Sequence, residues 1–142
     1  MTKIFYLALV LSFMIIGCNH NHETDTQAES DDVEVESLTQ HSELAEIFME
    51  YPEIIINSNI EFLIHLTDLR NFKPITEGTL AIEFRNEKDA KVSVFVDKPV
   101  RDGIFIPTVK FTSAGKYTME IILEGEQLSE RIVVNDIEVF ES

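Results

Sequence analysis

The sequence predicts an all-β protein, an immunoglobulin-like antiparallel β-sandwich, on three observations. From Leu44 onward, apolar and polar residues alternate in short runs, which is the period of a strand with one buried face. Turn residues separate these runs, and no segment beyond the N-terminal signal keeps a helical period. Seven or eight strands in about 100 residues are typical of such a sandwich, and a domain of this size can fold without disulfide bonds.

The strands follow one another along the chain in a regular order. The runs with an apolar face are residues 60–66, 80–84, 92–96, 104–111, 117–123, 132–134 and 137–139. Asn86-Glu87-Lys88-Asp89 and Glu124-Gly125-Glu126 are predicted hairpin connections, and Asp102-Gly103 and Ala114-Gly115 are predicted turns. Tyr117 is a candidate tyrosine corner, a feature of immunoglobulin-like domains. The absence of Trp and of a cysteine pair excludes an antibody-like domain.

Residues 1–17 are typical of a bacterial lipoprotein signal peptide. Lys3 gives a positive start, and an apolar run follows that is shorter than the roughly 20 residues of a membrane-spanning helix. The run ends at Ile15-Ile16-Gly17-Cys18, which resembles the lipobox of bacterial lipoproteins. That resemblance implies lipidation of Cys18, and two or more acyl chains hold a protein stably on a membrane. The alternative is a non-lipidated signal peptide followed by a chance cysteine.

Residues 18–43 are predicted to be the lipidated cysteine and a disordered acidic tether. From residue 19 the stretch has no aromatic residue, Gly, Pro, Lys or Arg, so it offers little apolar surface to bury. The folded domain is predicted over residues 44–142. The whole chain has 26 acidic and 11 basic residues. This charge argues against binding of nucleic acid or of anionic lipid head groups.

Three segments of the predicted domain are distinctive in composition. They are residues 43–52 (ELAEIFMEYP), residues 65–78 (HLTDLRNFKPITEG) and residues 102–107 (DGIFIP), the last followed by Ala114-Gly115-Lys116-Tyr117. Together they resemble the N-terminal β-domain of the periplasmic adaptor subunits (membrane fusion proteins) of heavy-metal efflux pumps of the resistance-nodulation-division class. The resemblance covers about residues 43–142. Family adaptors continue into further β-domains and a long α-hairpin, whereas this chain ends at Ser142, so we expect a free-standing domain or the front piece of an interrupted adaptor.

The middle segment has two interpretations. As a structural loop, Pro74 interrupts the strand ladder, Gly78 permits a tight return into the next strand, and Phe72 closes the end of the sandwich. As a partner-contact loop, it presents Phe72, Lys73, Pro74 and Glu77 to another protein, since loops often carry function.

No sequence motif indicates an enzyme: the chain has no nucleophile elbow, phosphate-binding glycine loop, HExxH or CxxC. Metal binding is a more specific hypothesis than enzyme activity for this sequence. His20 and His22 lie two residues apart beside Glu23, and His41 precedes the first predicted strand and would add a ligand if the tether folds back. Imidazole suits Cu, Zn and Ni ions. The alternative is that these are solvated tether residues. Met49 and Met119 are predicted to be core residues, and His65 a hydrogen-bonding residue at a strand end.

After cleavage the chain would begin Cys18-Asn19-His20. A free amino group with His in third place forms a square-planar chelate of Cu(II) or Ni(II) through the amine, two amides and the imidazole. Acylation of the Cys18 amine abolishes this chelate, so the hypothesis depends on how many acyl chains Cys18 carries.

These observations predict a lipid-anchored domain of the bacterial envelope that faces the periplasm. By the resemblance, it binds metal ions or contacts efflux-pump components. The alternatives are an interaction module without a metal role, or a truncated adaptor fragment without independent function. Asn19 lacks the Asp that favours inner-membrane retention in some bacteria, which favours the outer membrane.

Overall fold

A computed structural model describes residues 34–142, and this range contains strands and no helix. The predicted all-β class is therefore confirmed. In chain order the strands are β1 (Val35–His41), β2 (Ala45–Pro52), β3 (Asn59–Glu61), β4 (Leu63–Asp68), β5 (Lys73–Pro74), β6 (Thr79–Asn86), β7 (Lys91–Val96), β8 (Ile104–Phe105), β9 (Thr108–Lys110), β10 (Gly115–Glu124) and β11 (Glu130–Val139).

The first sheet has the order β1-β2-β4-β5, and β8 also pairs with β4. All of its pairs are antiparallel. Alternate residues of β2 and β4 face the core, as the sequence pattern predicts. Those residues are Ala45, Ile47, Met49, Ile64 and Leu66, all buried.

The second sheet has the order β11-β10-β6-β7 and is also antiparallel. Its inward residues oppose one another in register, with Leu80 opposite Leu123 and Phe84 opposite Met119. A small sheet of β3 and β9 accompanies the two larger ones. Because the buried residues of all three sheets belong to one hydrophobic cluster, the arrangement fits the predicted sandwich. The immunoglobulin-like subtype stays a prediction.

A continuous line of aromatic rings runs through the core. Tyr51, Phe62, Phe84, Phe111 and Tyr117 contact one another in that order, with ring centroids 5.1, 5.5, 5.0 and 5.2 Å apart. Such pairs contribute about 0.5–1.5 kcal/mol each beyond the area they bury. This line crosses both sheets, so it ties the layers together without a disulfide bond.

Tyr117 behaves as a tyrosine corner would. Its ring is buried, while its hydroxyl donates to the Ser113 carbonyl oxygen at 2.9 Å and lies 2.8 Å from the Ser113 hydroxyl. The hydrogen bond runs back to the backbone four residues upstream, as the tyrosine-corner hypothesis requires.

The predicted tether is wrong at its C-terminal end, because residues Val35–His41 form β1. This strand pairs with β2 from Val35 opposite Pro52 to His41 opposite Glu46. All seven of its residues are exposed or half-buried. A polar edge strand is held by the backbone ladder of its neighbour rather than by an apolar face, so its sequence lacks the alternation that the prediction relied on.

Two connections are as predicted, and two strand runs have other boundaries than predicted. Residues 86–89 do join β6 to β7, and Gly78, at φ 105°, does permit a close approach, since a Cβ there would lie 2.8 Å from the Glu124 carbonyl oxygen. The run 104–111 divides into β8 and β9. The runs 132–134 and 137–139 form one strand, β11, whose register against β10 shifts near Asp136, a residue at φ 60°.

Candidate functional site

The segment between β4 and β6, residues 69–78, includes the two-residue strand β5 and carries all four residues predicted to contact a partner; we call it the Phe72 loop. The expectation that Pro74 interrupts the strand ladder is wrong, because Pro74 pairs with Thr67 as part of β5. Phe72, Lys73 and Pro74 are exposed, and Glu77 is half-buried. The Phe72 side chain is 80% exposed, so the expectation that it closes the sandwich end is wrong. The neighbouring Ile75, which is fully buried, faces the core instead.

The Phe72 loop begins on a buried carboxylate. Asp68 is 0% exposed and accepts hydrogen bonds from the Arg70 backbone nitrogen at 3.0 Å, from Arg70 Nε at 2.9 Å and from Arg70 Nη2 at 2.7 Å. Asn71 Nδ2 donates to it at 3.4 Å. The hydrogen bonds from the Arg70 side chain lower the pKa of Asp68 and raise that of Arg70, against the opposing effect of desolvation. The carboxylate is therefore held ionised as the fixed point of the loop.

The apex of the loop has a rare backbone conformation. Phe72 lies at φ 58°, in the left-handed region that bulky residues seldom adopt. Its backbone nitrogen donates to the Asp68 carbonyl oxygen at 2.7 Å, and the Lys73 nitrogen donates to Asn71 Oδ1 at 2.9 Å. A strained residue persists only where the surrounding contacts determine it, and such residues cluster at functional sites. The conformation directs a large aromatic ring into solvent.

A second connection, between β10 and β11, braces the loop from the side. Gln127 contributes most of these contacts: its Nε2 donates to the Pro74 carbonyl oxygen at 3.0 Å, and its Oε1 accepts from the Thr76 nitrogen at 2.9 Å. The Gln127 backbone nitrogen donates to Glu77 Oε1, and its carbonyl oxygen accepts from Arg70 Nη2, both at 2.5 Å. Glu77 thus supports the loop's backbone rather than presenting a free carboxylate.

The turn before β8 closes the other side of the loop. The Gly103 nitrogen donates to the Ile75 carbonyl oxygen at 2.7 Å, and its carbonyl oxygen accepts from the Leu66 nitrogen at 2.8 Å. Gly103 lies at φ 76°, and a Cβ there would lie 2.8 Å from Pro74 Cβ. Only glycine satisfies both demands. The same turn carries Val100, which is 55% exposed, and the exposed Arg101.

The loop differs from the rest of the surface in charge. The whole chain has a formal charge of −15. In the loop, Asp68 is buried against Arg70 and Glu77 is engaged by backbone, while the Lys73 ammonium has no ion pair within residues 34–142. Within residues 69–78, Lys73 is therefore the one exposed charged side chain that lacks an ion pair, and the adjoining turn carries the exposed Asp102. An exposed aromatic ring beside a free lysine, held on a braced loop, is a surface suited to contact another protein.

The residues predicted to bind metal divide into two groups. His20, His22 and Glu23 lie outside the described residues, as does Cys18, the predicted lipidation site. His41 does not precede the first strand as predicted but ends β1, where its Nε2 lies 2.9 Å from Glu46 Oε2. Within residues 34–142, no group of three potential ligands is close enough to hold a metal ion. Among the described residues, Glu46 is thus the one acidic side chain that could share a metal ion with His41.

The remaining side chains with soft or imidazole ligands belong to the sheets. Met49 and Met119 are fully buried, which confirms that they are core residues. His65 lies within β4 rather than at its end, and its ring is 5.5 Å from that of Phe48. Its Nε2 is buried without a hydrogen-bond partner, so the expectation of a hydrogen-bonding histidine is wrong for that atom.

Asp68, Arg70 and Gln127 are the structural residues of the site that sequence reasoning missed. Asp68 had a local signal, since an Asp two residues before a turn amide is typical of an Asx turn. Gln127 had no such signal, because its contacts join residues 50 or more positions apart.

Comparison with known proteins gives no further constraint: no family model, no curated protein and no solved structure matches the chain. In residues 34–142, no helix is long and apolar enough to cross a membrane.

Proposed function

We propose that this protein is a lipid-anchored, periplasm-facing β-domain that contacts efflux-pump components through the Phe72 loop. The observation that carries the proposal is the Phe72 ring itself, which is 80% exposed on a loop fixed from both sides. Few residues dominate the energy of protein interfaces, and they are most often aromatic or Arg anchors. Because Phe72 is already fixed in a single backbone conformation, little conformational entropy remains to be lost on binding.

The choice of partner follows the sequence resemblance. The segment HLTDLRNFKPITEG, which resembles heavy-metal efflux adaptors, is the segment that builds the Phe72 loop. We therefore infer that the partner is a protein of a heavy-metal efflux pump, and that the Phe72 ring and the unpaired Lys73 ammonium favour an apolar patch with an acidic residue beside it. Lipidation of Cys18 would keep the domain at the membrane where such pumps assemble, with the outer membrane preferred.

Site-specific photo-crosslinking tests this proposal in the cell envelope. The full chain carries p-benzoylphenylalanine in place of Phe72, and the adducts are identified by mass spectrometry. We expect an adduct with a pump or adaptor subunit. The matched control carries the same group in place of Phe140, which is also an exposed phenylalanine. Adducts of equal yield and identity at both positions, or no adduct with a pump subunit at Phe72, would refute the proposal.

Metal binding by the tether is the second candidate function. The observation that favours it is that His20 is the third residue of a chain that begins at Cys18, with His22 and Glu23 close behind it in the sequence. Imidazole and carboxylate suit Cu, Zn or Ni. Cu(II) titration of the correctly processed full chain tests it, with His20→Ala and His22→Ala as the informative variants and His41→Ala as the control. A missing d–d band for nitrogen ligation would remove the Cu(II) chelate of Cys18-Asn19-His20. If calorimetric titration with Zn(II) and Ni(II) also shows no binding that depends on His20 or His22, an interaction module without a metal role remains.

A further inference from the structure

Strand β7 is the free edge of the second sheet, and its composition is unusual for an exposed edge. Residues 91–96 read Lys-Val-Ser-Val-Phe-Val, so five of the six residues have no charge and the strand contains neither Pro nor Gly. Natural proteins protect exposed edge strands with charges, prolines or bulges. The pairing of β7 with β6 runs without a register shift from Lys91 to Val96, so no bulge interrupts this edge.

The backbone groups of Lys91, Ser93 and Phe95 point away from β6; we call these groups the β7 edge. The Asn86 nitrogen donates to the Ala90 carbonyl oxygen, which makes residues 86 and 90 a hydrogen-bonded pair of the ladder. Hydrogen-bonded and non-bonded pairs alternate along an antiparallel ladder. By that alternation, even-numbered residues of β7 bond to β6 and odd-numbered residues face outward. Within residues 34–142, no other segment supplies backbone partners to them.

An apolar side chain accompanies these free groups. Phe95 is 62% exposed on the outer face of the sheet. Its neighbours across the sheet are Ala81 of β6 and then Ile122 of β10, so the exposed ring continues a short apolar row. A free ladder beside an exposed aromatic ring is a surface that accepts another strand.

We propose that the β7 edge pairs antiparallel with the β7 edge of a second copy of this chain. The two second sheets then form one continuous eight-stranded sheet across a two-fold axis. Such an interface uses the same residues on both copies. Most of the surface is acidic and repels a second copy, whereas residues 91–98 contain two lysines and one aspartate. The β7 edge is thus a place where two copies can approach without that repulsion.

Charge complementarity selects one register for this pairing. With the axis at Val94, Ser93 lies opposite Phe95 of the second copy, and Lys91 lies opposite Asp97 of the second copy. The symmetry repeats both contacts, so two ion pairs flank the paired strands. In the single chain Lys91 Nζ lies 2.5 Å from Glu83 Oε2, and Glu83 Oε1 also lies 2.7 Å from Arg85 Nη2. Glu83 therefore keeps a cationic partner when Lys91 turns to Asp97 of the second copy. With the axis at Ser93 instead, Asp89 would lie opposite Asp97 of the second copy, and like charges directly opposite are destabilising.

The other long edge strands, β11 and β1, fit a second copy less well. Strand β11 has a register shift against β10 and carries Glu130, Arg131, Asp136 and Glu138, and irregular pairing and charge both protect an edge. Strand β1 is regular but polar. Its sequence is VESLTQH, in which five of the seven side chains are polar. A symmetric pairing about Leu38 would place Val35 opposite His41 and Glu36 opposite Gln40, and neither is a complementary charge pair. The β7 edge is therefore the surface we assign to self-association.

Charge exchange tests both the interface and its register. The full chain is studied by sedimentation in a neutrally buoyant detergent at roughly 0.1 mM, where a weak, specific dimer is populated. We expect a dimer for the wild type. Lys91→Asp alone and Asp97→Lys alone each place like charges opposite one another twice, and each should weaken the dimer roughly tenfold. An equimolar mixture of these two variants restores both ion pairs, so it should form a mixed dimer.

The control is Lys88→Asp, which makes the same charge change in the hairpin outside β7 and should leave the dimer unchanged. Ser93→Pro removes a donor from the β7 edge only, and it should abolish the dimer while circular dichroism retains the β-sheet signal. A monomeric wild type would overturn the proposal. So would a dimer that is insensitive to Ser93→Pro, or variants of Lys91 and Asp97 that do not recover on mixing.

Discussion

The Phe72 loop and the hairpin that joins β6 to β7 are built in the same way but end in different residues. Within residues 34–142, the buried polar side chains are Asp68 and Asn86, and each begins one of these turns by accepting a hydrogen bond from the backbone nitrogen two residues later. Each turn then places one residue in the left-handed region, Phe72 at φ 58° and Asp89 at φ 59°.

The difference lies in what occupies that position. Asp adopts the left-handed conformation at little cost, whereas a bulky aromatic residue does not. Asp89 therefore suits the backbone conformation of the hairpin, whereas Phe72 does not suit the same conformation in its loop. Since the Phe72 ring packs on nothing in the core, its side chain gives no compensating stability. This comparison favours retention of Phe72 for contact with another molecule.

Removal of the Asp68 carboxylate should have the largest effect on stability. Asp68→Ala deletes the acceptor of four hydrogen bonds and leaves the Arg70 guanidinium without its ion-pair partner. We expect a larger fall in the free energy of unfolding than for any other variant discussed below. Urea unfolding followed by circular dichroism measures it. Asp102→Ala, at an exposed Asp of the adjoining turn, is the control, and an equal loss in both variants would contradict the anchoring role.

The two turns should also differ in their response to acid. Because the pKa of Asp68 is lower in the folded than in the unfolded protein, its contribution is complete above the unfolded pKa of about 4 and disappears as the pH falls through the folded value. Asn86 does not titrate. Urea unfolding between about pH 2 and 6 should therefore show a loss in the wild type that Asp68→Asn reduces. A wild type and an Asp68→Asn variant with parallel pH profiles would disprove this assignment.

The strands could be predicted from the sequence, but the conformation of the Phe72 loop could not. Alternation placed β4, β6 and β10 correctly because one face of each is buried. The same rule missed β1, which is stabilised by backbone pairing. For Phe72 the sequence leaves two interpretations open, a ring that closes the sandwich end and a ring presented to a partner, and the structure excludes the first. The exposure of Phe72 follows from Asp68 and from Gln127, whose contacts bridge distant segments.

Loss of the Asn86 side chain should have the next largest effect. Asn86 Oδ1 accepts from the Lys88 and Ala90 nitrogens, both at 2.9 Å. Asn86→Ala leaves both donors to water, so we expect a loss of about 1–2 kcal/mol in the free energy of unfolding. Urea unfolding measures it against Glu87→Ala in the same hairpin. The loss should be smaller than for Asp68→Ala, because the hairpin lacks the ion pair and the brace from a second connection.

Substitution of the left-handed residues should have the smallest effect and the most direct bearing on function. Phe72→Asn replaces a disfavoured residue with one that tolerates φ 58°, so we expect a gain of about 0.5–1 kcal/mol in the free energy of unfolding. Asp89→Asn, at the same φ, should change it by less than about 0.5 kcal/mol. The same urea unfolding experiment measures both. A clear loss of stability in Phe72→Asn would mean that the ring contributes to the fold. A gain of stability would mean that Phe72 costs stability. If the partner identified by photo-crosslinking also no longer co-purifies with this variant, Phe72 is kept for binding.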